Sequence, residues 1–360
     1  MPLLSVIQLL GGLVLLIAGA ELLVRGAVRL AARRKVRSLI IGLSIVAFGS
    51  SAPQLAVSLQ ATLSDNTDIA VGSVIGSSIF NILVTLGLSA LILPLKVSRH
   101  LVRLDIPMMI GASLLVFALA YNKQLTPLDG LLLLTALALY LGLLLRQSQP
   151  SSRPRQTNDD ATPRTRAPWL GSLLMMVCGL ALLMFAAHLL LGAAVEIASD
   201  LGLSERIIGL TIVAVGTSLP QFATSMIAAL RGQRDIAVGN VIGSNLFNLL
   251  GVLGFTALVA PTPVSVSPNA LDFDLPVMLG VAVLCLPVFY SGYRITRAEG
   301  LLFLGLYLAY GLHVVSFATG MPLAGKLEDL MLFFVLPALV VFLLFTSLLT
   351  WRRQHKREPL

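Results

Sequence analysis

One stretch of this chain occurs twice. Residues 42–89 open with GLSIVAFGSSAPQLAVS and run on into DIAVGSVIGSSIFNILVTLG. Moved along by 167 residues, from Gly209, the chain reads GLTIVAVGTSLPQFATS and then DIAVGNVIGSNLFNLLGVLG. About 27 of the 48 aligned positions in 42–89 and 209–256 are identical, with no gap. The matches include Gly49/Gly216, Ser51/Ser218, Pro53/Pro220, Gln54/Gln221, Asp68/Asp235, Ser77/Ser244 and Asn81/Asn248. Bulk apolarity would repeat Leu, Ile and Val, but not a Ser-x-Pro-Gln or a Phe-Asn. The duplication therefore preserves polar and helix-breaking residues inside hydrophobic segments. In a membrane protein that pattern predicts two related halves meeting at a polar site.

Composition supplies the membrane. The chain is 57% hydrophobic and 12% charged, about half the charged content of a soluble domain. Apolar runs recur at roughly 4–24, 38–63, 69–93, 104–121, 126–146, 169–195, 205–230, 236–260, 273–291, 299–318 and 330–351, each long enough to cross a hydrocarbon core of about 30 Å. The expectation is an all-α polytopic membrane protein of eleven spans. The first run has no basic n-region before it and no clear small-residue cleavage site, and reads as a span, not a removed signal. Cys178 and Cys285 both lie in predicted spans and make neither a disulfide framework nor a metal motif.

A net charge of +8 would suit nucleic acid, but its distribution argues for topology. Every second connection is basic: 25–37, 96–103, 146–166, 231–234, 294–297 and the tail 352–357 hold 22 of the 25 Lys and Arg. Lys123, Arg206 and Lys326 fall on the opposite set. The positive-inside rule places the N-terminus outside, and the segment 147–168 and the C-terminus in the cytoplasm. Arg33, Arg34 and Lys35 read as topology markers or as contacts to anionic lipid.

Each repeat starts one span before the duplicated stretch and ends two spans after it. Asp105-Ile-Pro answers Asp274-Leu-Pro, and Asp129-Gly answers Glu299-Gly, at offsets of 169 and 170 residues. Five spans is an odd number, so the second copy enters the membrane from the other side and the repeats are inverted. The organisation predicted is a first five-helix repeat over 1–146, a flexible cytoplasmic linker over 147–168 rich in Ser, Pro and Arg, a second repeat over 169–320, and an extra helix with a basic tail over 321–360.

Pro53 and Pro220 fall near the middle of their spans, where a proline removes an N–H and frees the carbonyl four residues back. Freed carbonyls in a bilayer must face protein groups, water or ions, so these helices are expected to be broken. Ser50 and Ser51, or Thr217 and Ser218, surround the break, with Gln54 or Gln221 one turn on. The next span brings Ser77 and Asn81, or Ser244 and Asn248, at i and i+4 on one face. Gly72/Gly76 and Gly239/Gly243 have the spacing of close helix contacts, and Asp68 and Asp235 read as N-caps. One such serine alone would more simply glue helices together. Ten polar positions repeated around two prolines point instead to a midplane cavity of oxygen ligands, which suits a hard cation.

At these residues the sequence resembles the sodium/calcium exchanger family, in its prokaryotic form. The resemblance rests on GxxxPxxxxS and VGxxxGSxxFN in duplicate, and covers all but the last span. It implies a secondary-active antiporter that exchanges Na⁺ for Ca²⁺ or another cation by alternating access. It also implies ion ligands at Ser50, Ser51, Gln54, Ser77 and Asn81, at Thr217, Ser218, Gln221, Ser244 and Asn248, and at the carbonyls of Ala47 and Ala214. The family pattern has Glu where this chain has Gln54 and Gln221, and often Asp in one repeat where both copies here have Asn. The acidic residues all lie in connections, in the tail or near span ends; Glu21 is the deepest, with Arg25 four residues on. A pocket without formal charge is a poor match for Ca²⁺, since moving even a monovalent ion into low dielectric costs on the order of 20 kcal/mol before compensation. Three explanations are open: a scaffold redirected to a monovalent cation or to a neutral or anionic solute, a membrane protein that no longer transports, or amides introduced to trap one state.

No other constellation carries chemistry. No enzyme active site or cofactor-binding motif stands out, and no Gly-rich phosphate loop supports ATP-driven transport. The expected partners are membrane lipid and the transported cations, not nucleic acid. His188 matches Glu21 across the repeats and reads as a proton-linked group or a histidine packed at a helix interface.

Overall fold

In a computed structural model of the chain, the described residues are 3–34, 38–64, 67–147, 169–200, 212–290, 292–319 and scattered positions from 325 to 341. The expected linker (apart from Gln147), the start of the seventh span and most of the eleventh fall outside them, as does Lys35. The helices are α1 (Leu3–Arg34), α2 (Ser38–Leu63), α3 (Thr67–Ile92), α4 (Leu101–Asn122), α5 (Pro127–Gln147), α6 (Trp169–Asp200), α7 (Ala214–Leu230), α8 (Arg234–Val259), α9 (Ala270–Tyr290) and α10 (Arg297–Ala318). Among the described residues, nine helices are long and apolar enough to cross a membrane. They follow the expected spans, and α7 is the described part of the seventh.

Burial sorts the helices. The most apolar window of α3 is 78% buried and that of α8 is 89% buried, against 28% for α1, α5 and α6. α3 and α8 therefore form the centre, and α1, α5 and α6 form the rim that faces lipid. Two-strand ribbons close the connections. β1 (Leu95–Lys96) pairs antiparallel with β4 (Arg294–Ile295), and β2 (Gln124–Leu125) pairs with β3 (Val264–Ser265).

The two halves are interleaved, and they repeat one another bond by bond. The Val97 N–H donates to Tyr293 O at 2.8 Å, and the matching Val266 N–H donates to Lys123 O at 2.9 Å. Lys123 and Tyr293 are themselves matched turn residues with left-handed φ of 64° and 53°. A Cβ built on Gly300 would stand 2.6 Å from Gly87 O, and one on the matching Gly130 would stand 2.7 Å from Gly254 O. So α10 of the second half seats on α3 of the first, and α5 of the first seats on α8 of the second. Thr126 with Asp129 opens α5, and Thr296 with Glu299 opens α10, by the same reciprocal cap.

A buried acid follows the same rule with one difference. Tyr140 OH donates to Asp105 Oδ1 at 3.2 Å, and Tyr310 OH donates to Asp274 Oδ1 at 3.1 Å. Asp274 Oδ2 also accepts from Asn269, whereas Asp105 Oδ2 is buried with no hydrogen-bond partner. Asp105, expected near a span end, is 0% exposed. Tyr140→Phe should therefore destabilise the protein by about 1–3 kcal/mol, the range for a polar group left unsatisfied in the interior. The loss should exceed that of Tyr310→Phe when both are melted side by side in detergent.

α1 and α6, 32 residues each, are about 48 Å long and must tilt across the bilayer. They cross antiparallel through small residues. A Cβ on Gly19 would lie 2.9 Å from Gly179 O, and Gly12 and Gly26, one heptad away on either side, meet Leu190 and Met176. Between Gly19 and Gly26, Glu21 of α1 pairs with Arg25 and also with Arg231, just past α7; the Arg231 Nε–Glu21 Oε2 distance is 3.1 Å. His188 is exposed on α6, which corrects the reading of a packed interface histidine.

Two further expectations change. The helices do not break at their prolines: Pro53 and Pro220 lie inside regular α-helix. π-helical turns fall elsewhere, among them Gly42–Val46 ahead of Pro53 on α2, and Asn81–Leu86 and Phe247–Val252 on α3 and α8. An extra residue per turn widens the backbone there, and such insertions bend helices as prolines do. Nor are Asp68 and Asp235 N-caps. Each sits in the first turn of its helix, where a carboxylate is favoured by the helix dipole without capping an N–H. Asp68 reaches across to accept from Ser265 Oγ of β3.

Candidate ion-binding site

The ten expected side chains are all buried, on the four helices α2, α3, α7 and α8. Ser51 and Thr217 are 3% exposed, and Ser50, Gln54, Ser77, Asn81, Ser218, Gln221, Ser244 and Asn248 are 0% exposed. Ala47 is also fully buried. Ala214 begins the regular part of α7, and its side chain falls outside the described residues. The helices come together because small residues let them. Gly239 and Gly243 on α8 lie against Leu39, Leu43 and Ala47 of α2, so that α8 of one half lines α2 of the other.

The polar groups form a network across that contact. Ser50 Oγ has Ala47 O at 3.2 Å, Asn240 Oδ1 at 3.0 Å and Ser244 Oγ at 3.2 Å. Gln54 Oε1 accepts from Ser77 Oγ at 2.9 Å, and its Nε2 donates to Ser73 Oγ at 2.9 Å and Ser58 Oγ at 3.3 Å. Asn81 Nδ2 donates to Asn245 Oδ1 at 3.2 Å. Asn240 Nδ2 donates to Gln221 O at 3.1 Å and Ser225 Oγ at 2.9 Å.

Five of these partners, Ser58, Ser73, Ser225, Asn240 and Asn245, were not among the expected ligands. A signal for four of them was present: Ser73-Ser77-Asn81 and Asn240-Ser244-Asn248 are stripes at i, i+4 and i+8, and Ser58 follows Gln54, as Ser225 follows Gln221, by four. Asn245 carries no such mark, because it points across to the other half.

What remains after these bonds is oxygen and amide nitrogen without a partner. Ser51 Oγ, Asn81 Oδ1, both polar atoms of Gln221 and both of Asn248 are buried and unbonded. Such groups cost about 1–3 kcal/mol apiece unless something satisfies them. No group of three or more His, Cys, Asp or Glu is placed to hold a metal among the described residues, and the ten site residues are all uncharged. The arrangement can replace part of an ion's hydration shell with amide, hydroxyl and carbonyl oxygen, but it cannot neutralise the ion's charge. Because the charging energy grows as charge squared, a divalent ion asks about four times what a monovalent ion of equal radius asks.

The sequence and the fold match known proteins. A family profile described as "Sodium/calcium exchanger protein" matches residues 4–146 and 171–316. The chain is 38% identical to the putative antiporter CaxA of Alkalimonas amylolytica, over 86% of this chain and 98% of the relative. It is 37% identical to the inner membrane protein YrbG of Escherichia coli, over 78% of this chain and 87% of the relative. A solved structure of the sodium-calcium exchanger NCX_Mj, soaked with Na⁺ and Ca²⁺, superposes with a TM-score of 0.73 and 30% identity, covering 86% of this chain and 97% of the other. Matched along both halves in sequence, and over most of its length in three dimensions, this chain is an integral membrane protein of the sodium/calcium exchanger family.

Proposed function

We propose that the protein is a secondary-active cation antiporter of the sodium/calcium exchanger type that binds Na⁺ and exchanges it for a second monovalent cation, with Ca²⁺ a poor substrate. The observation that carries this reading is the buried, uncharged set of oxygens: Ser51, Asn81, Gln221 and Asn248 hold unbonded polar atoms where a cation would sit. Ser50, Gln54, Ser77, Thr217, Ser218 and Ser244, with the carbonyls of Ala47 and Ala214, complete the proposed lining. The two units are 1–146 and 169–320, joined by the cytoplasmic segment 147–168. The orientation follows from the Lys and Arg split, N-terminus outside and C-terminus inside, in a bacterial inner membrane as for the relative named above.

Alternating access needs two blocks whose contact can change. α1 and α6 form one, because they cross tightly on each other and face the core mostly through apolar side chains. A cleft of about 280 Å³ between α6 and α7 is lined by Leu190, Leu191, Val215 and Leu219 among others. Apolar surfaces can slide without breaking hydrogen bonds. The Glu21–Arg231 pair is a polar tie between the blocks in this conformation. Arg231→Ala should cost under about 1 kcal/mol of folding stability, as exposed pairs do. The same energy shifts a two-state balance up to about fivefold, read as a longer distance population between spin labels on α1 and the end of α7. An unchanged distribution would assign the pair no role in access.

The direct test is transport in proteoliposomes. Radioactive Na⁺ uptake should be driven by an opposing gradient of Na⁺, Li⁺ or K⁺, and Ca²⁺ should compete only far above the concentration at which Na⁺ saturates. Na⁺-driven Ca²⁺ uptake with micromolar half-saturation would overturn the charge argument.

A further inference from the structure

Gln54 and Gln221 occupy the same place in the repeat, yet the fold treats them differently. Gln54 is surrounded by three hydroxyls, Ser58, Ser73 and Ser77, all within 3.3 Å of its amide. Reversing that amide changes which group donates, but not how many hydroxyls hold it, since each can donate or accept. Gln221, equally buried, has no partner at either polar atom.

The cause lies one helix away, at the one residue of the three around Gln54 whose counterpart differs. Ser73 of the first half is answered by Asn240 of the second. Ser73 stays within its own half: it accepts from Gln54 Nε2 and donates to Ala70 O. Asn240 is longer and carries an amide. Its Oδ1 takes the Ser50 hydroxyl of the other half, and its Nδ2 takes Ser225 Oγ and the Gln221 carbonyl. Ser225 is the counterpart of Ser58, and Ser244, the counterpart of Ser77, faces Ser50. The hydroxyls that would hold the Gln221 side chain are thus engaged elsewhere. On α8, Asn248 is likewise buried with both polar atoms unbonded.

We propose that position 73/240 divides the labour between the repeats. Gln221 and Asn248 are the exchangeable amide ligands for a monovalent cation, Asn240 is the positioning residue that keeps Gln221 available, and Gln54 is a positioning residue that ties α2 to α3. To ligate an ion through Oε1, Gln54 would have to share or give up the Ser77 hydrogen bond, with its amide held in place at Nε2 by Ser58 and Ser73; Gln221 surrenders none. The inference rests on the cation reading above, and it adds that the two halves of a duplicated site are not equivalent ligands.

The test is a set of single and double variants of the full chain, with Na⁺ affinity from titration calorimetry in detergent and Na⁺ transport kinetics in proteoliposomes. Gln221→Ala should weaken Na⁺ binding about tenfold or more, and Gln54→Ala less than about threefold while lowering the melting temperature. Asn240→Ser should give Gln221 a hydroxyl cradle like that of Gln54. It should raise the Na⁺ KM about tenfold with maximal rate little changed, and should add nothing in a Gln221→Ala background. If Gln54→Ala does not fold, the Asn240→Ser, Gln221→Ala pair decides by itself. Equal losses from the two Gln→Ala changes, or additive effects of Asn240→Ser and Gln221→Ala, would overturn the division while leaving the cation reading intact. A wild-type protein that binds no Na⁺ at all would overturn both.

Discussion

The double change Gln54→Glu, Gln221→Glu should turn this pocket into a Ca²⁺ site, with a dissociation constant at least about a hundredfold lower than that of the parent, a gain of ~2.7 kcal/mol or more. The pocket already has oxygens and burial; what it lacks is charge. At 2.4 Å and an effective dielectric of about 20, each carboxylate attracts a divalent ion by roughly 14 kcal/mol, most of which offsets dehydration. Amide oxygens return only a fraction of that. The two positions should not respond alike. A carboxylate at 54 would stand among Ser58, Ser73 and Ser77, which can all turn to donate to it. A carboxylate at 221 would have no donor and would depend on a bound cation. Gln54→Glu alone should therefore fold well and gain little Ca²⁺ affinity, and Gln221→Glu alone should be stabilised strongly by Ca²⁺ in a thermal melt. The measurement is Na⁺-driven ⁴⁵Ca²⁺ uptake beside the wild type. A folded double variant that still ignores Ca²⁺ would mean that geometry, not charge, sets the selectivity of this pocket.

Much of this was readable in the residues. The duplicated polar positions turned out to be buried together, and the change of offset from 167 to 169 and 170 marked matched features: Asp105 and Asp274 each hold a tyrosine, and Asp129 and Glu299 each close a helix cap. Periodicity worked because each span must satisfy its own backbone in lipid. It failed where the answer depends on which helix lies against which. Nothing in the order of residues says that α10 sits on α3 or α5 on α8, and so nothing said that Gly87 faces Gly300 or that Asn245 reaches Asn81. The prolines misled for a related reason. A freed carbonyl predicts local irregularity, but neighbouring turns absorb it, and the π segments fall at Gly42 and Asn81, where the helices touch the other half. The inequivalence of Gln54 and Gln221 was hidden most deeply, because it depends on the direction of one asparagine side chain across the boundary.

Gly243→Ala and Gly72→Ala should have opposite effects, although both glycines belong to the same GxxxG pattern in sequence. At Gly72 a Cβ would meet nothing within 4 Å. Alanine there should be neutral or should stabilise by up to about 0.5–1 kcal/mol, the penalty glycine carries inside a helix. At Gly243 a Cβ would lie 2.6 Å from Leu43 O and 2.7 Å from Ala47 Cβ. Those are backbone and the first side-chain atom of α2, which cannot turn away as a long side chain would. α2 and α8 must separate, at a cost of roughly 1–3 kcal/mol for overpacking. The consequence for transport should exceed the loss in stability. Ser50 reaches Asn240 and Ser244 across this same contact at 3.0 and 3.2 Å, so a shift of half an ångström breaks the bond from Ser50 to Asn240 Oδ1 and moves the proposed carbonyl of Ala47. Na⁺ transport should fall to background in Gly243→Ala protein that still elutes as a folded species, while Gly72→Ala transports at the parental rate. Equal behaviour of the two variants would mean that α2 and α8 are not locked at Gly243, and that the halves meet in some other way during the cycle.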